Sequence, residues 1–247
     1  MEEPEAHQNS YYDPGVNRAK RVRALFDQIA RRYDVINDIQ SGGMHRLWKR
    51  RLILEAPIIP GSSALDVCCG TGDLSFALAA KGAEVTGLDF SQAMLDQARS
   101  RGDARMADTE RKKPLFIEGD AMALPFMDDS FDIVTMAYGL RNLSHWQNGL
   151  RELHRVTRPG GRILILDFGK PPNQLWRSIY YSYLRLVVPV LGWSLVGDAE
   201  AYRYILTSLQ HFPAQRGIES EMLKMGCRGL HTHLFMGGVM SLNMGTA

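Results

Sequence analysis

The ten residues from Ala64 to Asp73, ALDVCCGTGD, constrain this chain more than any others, because they join an apolar run to a helical one through a glycine turn. Apolar residues reach Val67 and recur at Leu74, Ala77 and Leu78 with helical spacing, so the stretch reads as strand, tight turn and helix start. Gly70 and Gly72 accept backbone angles closed to other residues and let a ligand approach the main chain. The next strand carries Asp89 to the same sheet edge, where a carboxylate can accept both hydroxyls of a ribose. A nucleotide-like ligand over the turn is the functional reading. A plain tight turn with Asp73 capping the helix is the structural one.

Charge at the turn separates two nucleotide cofactors. A dinucleotide such as NAD places its pyrophosphate on the helix N-terminus, where N–H groups and the helix dipole favour an anion. Here Asp73 stands at that place, Asp66 lies just upstream, and Ser75 replaces the third glycine of the dinucleotide pattern. S-adenosylmethionine (SAM) has no phosphate, and its sulfonium and amino group are cationic. The residues therefore point to SAM, with Asp66, Gly70 and Gly72 around the turn and Asp89 on the ribose.

Beyond the turn, strand patterns over 84–88, 115–118, 131–137 and 162–167 alternate with helical ones, the signature of an α/β domain with a parallel sheet covered on both faces. Ser91 caps a helix through Met94, Leu95 and Ala98, and 101–113 reads as a charged loop. A helix carrying Trp146, Leu150, Leu153 and Val156 ends at Pro159-Gly160-Gly161. Ligands bind at the carboxyl ends of such strands, so Gly70, Asp89, Asp120 and Tyr138 should converge. A last helix is expected over 219–225, followed by strands over 229–234 and 239–242 joined at Gly237 and Gly238 as an antiparallel hairpin.

The flanks divide the chain further. Residues 1–17 are polar, carry Pro4 and Pro14, and read as a disordered tail. Residues 18–60 read as a helical cap, with Val22, Leu25, Phe26 and Ile29 at helical spacing, a break at Gly42-Gly43, and a second helix carrying Leu47, Trp48 and Leu52. Its cations Arg46, Lys49, Arg50 and Arg51 suit a solvated face, or an anionic membrane surface. The main domain, 61–247, holds an aromatic helical insertion at about 171–213, including Trp176, Tyr180, Tyr183, Leu184 and Val188. That segment reads either as buried helices over the sheet or as a lid for a greasy substrate or a bilayer.

A net charge of +2 argues against a dedicated nucleic-acid binder. Cys68, Cys69 and Cys227 cannot form a full set of bridges, and no Cys/His spacing matches a zinc site, so no metal is expected and a reducing cytoplasm is the simplest setting. No N-terminal apolar run reads as a signal peptide, and no span is long enough to cross a bilayer.

Four stretches resemble the ubiquinone/menaquinone biosynthesis C-methyltransferases of the UbiE/MenG type. They are Phe26-Asp27, Arg32-Tyr33-Asp34, Asn37, Ser41-Gly42, His45-Arg46 and Trp48-Lys49 as an opening signature; 65–73 as the SAM motif; 138–142, YGLRN; and Tyr202, Tyr204, Ser208 and Phe212-Pro213 in a late helix. The first and third are far more specific than the SAM motif. The resemblance implies a class I SAM-dependent methyltransferase fold, Rossmann-like and mostly parallel with a C-terminal antiparallel hairpin. It implies SAM contacts from Thr71, Asp89, Asp120 and Ala121, with Ala137 at a position where the family commonly has serine.

The implied reaction methylates a ring carbon of a reduced polyprenyl quinone precursor. Arg141 suits stabilisation of a phenolate and Asn142 suits orientation of the hydroxyl, which makes them the candidate catalytic pair. Tyr33 and His45 of the cap are secondary candidates for closing the pocket or moving a proton. Benzoquinol and naphthoquinol acceptors both remain open, as do a homodimer and peripheral contact with the inner face of a membrane. The competing readings are a methyltransferase of another small lipid and a noncatalytic SAM-binding module.

Overall fold

The computed structural model describes residues 18–106, 112–196 and 206–247; the tail expected over 1–17, and Tyr202 and Tyr204 of the late signature, lie outside them. The strands are β1 (Ser63–Val67), β2 (Glu84–Asp89), β3 (Leu115–Glu118), β4 (Phe131–Ala137), β5 (Thr157–Phe168), β6 (Arg228–Phe235) and β7 (Met240–Thr246). They form one sheet in the order β3-β2-β1-β4-β5-β7-β6. β1 to β5 pair in parallel, and β7 runs antiparallel to β5 and β6. Strand order reverses between β1 and β4, so their carboxyl ends open a crevice at the switch point.

The central strands are buried on both faces, and their alternation assigns each residue to a layer. Leu65, Val67, Val134, Met136, Ile163 and Ile165 face α6 (Trp146–Val156) and α8 (Ala214–Lys224). Ala64, Ile133, Leu164 and Leu166 face α3 (Met44–Glu55) and α4 (Asp73–Ala80), through Trp48, Leu52, Leu74 and Leu78. Burying each large aliphatic side chain contributes roughly 1.5–3 kcal/mol. The layer holding α3 is thus part of the sheet's own core.

The rest of the cap is α1 (Arg18–Ile29) and α2 (Tyr33–Ser41), joined by a 3-10 turn over Ala30–Arg32. Gly42 and Gly43, at φ 58° and 77°, break α2 from α3. The aromatic segment contains α7 (Gln174–Val196), whose Tyr180, Leu184 and Val188 recur every four residues and pack on Leu25, Ile29 and Ile36. Its other face leaves Leu175, Ile179 and Leu186 exposed. The reading as buried helix therefore holds for the Tyr180, Leu184 and Val188 face.

Several boundaries differ from expectation. α5 (Gln92–Met106) continues past Arg101, where a loop was expected, because charged residues favour a solvated helix as readily as a loop. α8 begins five residues before the expected 219 and β5 begins at Thr157, with Gly160 and Gly161 bonded to the backbone of Ala247. That pairing partner is remote in sequence and invisible to local pattern.

Candidate active site

The turn after β1 presents its backbone to a cavity at the strand ends. Asp89, 5 % exposed, fixes the turn from β2: its Oδ2 accepts the Gly70 N–H at 2.8 Å and its Oδ1 accepts the Ser91 N–H at 3.0 Å. Burial pushes its carboxyl up to about 6. A Cβ at Gly72 would lie 2.9 Å from Phe76 and 3.0 Å from Phe116, so this glycine serves close packing of the turn on the core. The cavity above measures about 370 Å³ and is lined by Gly70, Asp89, Phe90, Asp120, Ala121 and Ala137, among others. Neither Asp89 nor Asp120 has an ion-pair partner among the described residues; with Arg23 and Glu118 paired to each other, these two carboxylates face one further cation, Lys20, on the lining, and the net acidic balance fits a cationic donor such as SAM.

A second cavity of about 140 Å³ adjoins the first. Phe26, Tyr33, Tyr138 and Asn142 line both, so these four residues stand where the two meet. The remaining wall is mostly apolar, including Ile36, Trp48, Phe168, Leu184 and Val188. Six residues on it nonetheless carry a buried nitrogen or oxygen without a hydrogen bond: Asn37, Gln40, His45, Tyr138, Arg141 and Tyr180. Each such atom costs roughly 1–3 kcal/mol if it stays unmatched. Their gathering in one apolar cavity marks a place for a ring-shaped ligand with polar substituents.

Arg141, 8 % exposed, follows β4 in a 3-10 turn over Leu140–Asn142. Its backbone N–H donates to Asp167 Oδ2 at 3.1 Å, and its Nε lies 3.5 Å from Asp167 Oδ1, an ion pair without hydrogen-bond alignment. One terminal nitrogen donates to Asn142 Oδ1 at 2.6 Å, and the guanidinium stacks 4.5 Å above the Phe168 ring. Asn142 in turn donates to the Tyr138 carbonyl at 2.9 Å. Tyr138 holds φ at 61°, and a Cβ at Gly139 would sit 2.6 Å from Cys68; the glycine lets the β4 turn close on the β1 turn.

The candidate residues divide by position. Gly70, Asp89, Asp120, Ala121 and Ala137 line the first cavity; Arg141 and His45 line the second; Tyr33 and Asn142 line both. Asp66, Thr71 and Gly72 do not reach either. Asp66 lies beneath the turn, bonded to Ser75 Oγ at 2.6 Å and Thr135 Oγ1 at 3.0 Å, and burial pushes its carboxyl up to about 6. Thr71 donates to Asp34 Oδ1 of α2 at 3.0 Å. Asp73 accepts from Lys49 at 3.1 Å and pairs with Arg101. The charge argument from Asp66 and Asp73 therefore needs correction: both are spent on neighbours, and the acidity facing the cavity comes from Asp89 and Asp120.

Sequence reasoning missed Asp167, Phe168, Asn37, Gln40 and Tyr180 as site residues. Asp167 ends β5 at the same sheet edge as Asp89, which was a usable signal. Asn37 stood in the opening signature without a role, and Gln40 gave no signal, since the neighbours of both are contributed by α7, more than 130 residues away.

Comparisons with known proteins agree with this geometry. Residues 15–247 match the model of the ubiE/COQ5 methyltransferase family. The ubiquinone/menaquinone biosynthesis C-methyltransferase UbiE of Ectopseudomonas mendocina is 37 % identical over 99 % of this chain and 95 % of its own length. UbiE of Cereibacter sphaeroides is 39 % identical over 86 % of this chain and 85 % of its own. A SAM-dependent methyltransferase from Thermotoga maritima shares the fold, with a TM-score of 0.62 at 15 % identity over 90 % of this chain and 98 % of that one. With two cavities side by side at the switch point, this chain belongs to the ubiE/COQ5 methyltransferase family and is a SAM-dependent enzyme.

Proposed function

We propose that the protein methylates a ring carbon of a reduced polyprenyl quinone precursor. The observation that carries this reading is the pair of adjoining cavities, one acidic and one apolar with Arg141 on its wall, sharing Phe26, Tyr33, Tyr138 and Asn142. Gly70 and Asp89 hold the ribose side of the donor, while Asp120 and Ala121 line the cavity toward its base. When bound, SAM supplies an electrophilic methyl group on a cationic sulfur. Arg141 stabilises negative charge on the ring hydroxyl beside the reacting carbon, and Asn142, bridging Arg141 and the Tyr138 carbonyl, orients it. The apolar wall excludes water from the ionised ring. Across the reaction the ring exchanges one proton for the methyl group, and that proton is released.

The apolar face of α7, with Leu175, Ile179 and Leu186 exposed, suits a polyprenyl tail or a bilayer surface. No helix among the described residues is long and apolar enough to cross a membrane, so such contact is peripheral. The decisive experiment incubates the protein with methyl-labelled SAM and reduced demethylated precursors of the naphthoquinol and benzoquinol types, with products identified by mass. Ring-methylated product from either is the expected result. Label in neither overturns the proposal.

A further inference from the structure

The polar atoms of the acceptor cavity reach it from two parts of the chain. Arg141, Asn142 and Tyr138 come from the turn after β4. Asn37 and Gln40 come from α2, three residues apart on one helix face, and His45 comes from the first turn of α3. Ser41 ties this second group together: its hydroxyl donates to the Asn37 carbonyl at 2.6 Å and accepts the His45 N–H at 3.2 Å.

The bonding capacities of the second group are specific. His45, 3 % exposed, shares its Nε2 with Asp38 Oδ1 at 2.8 Å. Arg46 clamps that carboxylate with two bonds of 2.8 and 2.6 Å, and with His45 holds it well below the usual carboxylate range. The Asp38 carboxylate can only accept, so the imidazole proton in that bond sits on Nε2, and burial, which pulls the imidazole pKa below its ordinary value, favours the ring without a second proton on Nδ1. His45 Nδ1 is therefore a buried lone pair, an acceptor, while the Asn37 and Gln40 amide nitrogens are donors. A hydroxyl has one proton to give and two lone pairs to fill. A carbonyl oxygen has no proton and would set its lone pairs against that of Nδ1.

We propose that Asn37, Gln40 and His45 form a second oxygen site in the acceptor cavity, which takes the ring hydroxyl farther from the reacting carbon and admits the reduced ring in preference to the oxidised one. This rests on the quinol reading above. The site also directs the chemistry. A phenolate enriches the carbons ortho and para to its oxygen. A far hydroxyl kept protonated by its bond to His45 leaves ionisation to the hydroxyl at Arg141, beside the carbon to be methylated. Asp38 is the positioning residue, because it fixes the imidazole tautomer.

The test measures binding, so that it stands apart from turnover. With S-adenosylhomocysteine bound, which has no methyl to transfer, a short-tailed naphthoquinone and its dithionite-reduced quinol are titrated anaerobically into the full-length protein. Wild type is expected to bind the quinol at least about tenfold more tightly than the quinone, the scale of one charge-neutral lone-pair conflict relieved. His45→Phe removes the Nδ1 acceptor and should shrink that preference to below about threefold, with S-adenosylhomocysteine affinity unchanged. Gln40→Met should weaken quinol binding about fivefold with S-adenosylhomocysteine affinity unchanged. Equal affinity of wild type for both redox forms, or a preference that His45→Phe leaves intact, overturns the inference. A quinol that binds with the redox preference but is never methylated by SAM overturns the proposed function instead.

Discussion

Arg141 joins a proposed role in the chemistry to a structural one. It is the counterion of Asp167, which is fully buried and whose carboxyl burial raises even against the pull of the guanidinium. Truncation to alanine therefore does more than remove a catalytic group: breaking a buried pair costs on the order of 3–5 kcal/mol before Asp167 recovers part of it by taking up a proton. Arg141→Lys is the cleaner probe. It keeps the charge but loses the planar fork that meets Asn142 and stacks on Phe168, and turnover on quinol should fall about 100-fold with SAM affinity unchanged by calorimetry. Asp66 makes a pH prediction. Its folded pKa of about 6 lies above the ordinary 3.8 because of burial, so the folded state holds the proton more tightly and stability falls as pH rises through about 6. The unliganded protein should melt at higher temperature at pH 5.5 than at pH 7. Asp66→Asn, which cannot titrate, should flatten that slope, and an unaltered slope would place its origin in other groups, Asp89 foremost.

At the scale of the element, α7 is the informative case. Its composition was legible as apolar and aromatic, but composition could not say which face meets the cap, because that depends on where α1 and α2 lie. Tyr180, Leu184 and Val188 turned out to be core, so deleting the helix would unmake the acceptor cavity along with any membrane contact. The exposed stripe has to be tested by itself. In a liposome sedimentation assay, Ile179→Glu with Leu186→Glu should lower partitioning onto anionic vesicles several-fold, while turnover on a short-tailed quinol is retained. Equal partitioning would leave the stripe as ordinary surface. The strands were read more securely, since period-2 alternation and flanking glycines are local signals; β3 and β4 fall where the pattern placed them. Ends set by remote partners, such as the start of β5 against Ala247, were not readable.

Over the whole molecule, the cap and the sheet are joined through the donor turn. Thr71 bonds Asp34, Arg101 pairs with both Asp34 and Asp73, and Lys49 reaches Asp73, so α2, α3, α4 and α5 meet in one network around the glycine turn. Cap position and donor site are thereby coupled. Asp34→Ala should weaken SAM binding and raise the quinol KM together, each about five- to tenfold, as measured by calorimetry and steady-state kinetics. A change in one alone would show that the two sites are independent. The sequence by itself determined the parallel sheet with its closing hairpin, the glycine turn at its edge, and the chemistry open to Asp89, Arg141 and Asn142, because periodicity, glycine and fixed charge are properties of short segments. Only the tertiary structure decided which carboxylates remain available. Asp66 is buried under hydroxyls and Asp73 is paired with cations, from residues 9 to 69 positions away, whereas Asp89 and Asp120 border the cavity without an ion-pair partner among the described residues. Only folding, likewise, brings the unpaired atoms of Asn37, Gln40 and His45 into one cavity with Arg141, since a polar atom's need for a partner is set by what surrounds it in space.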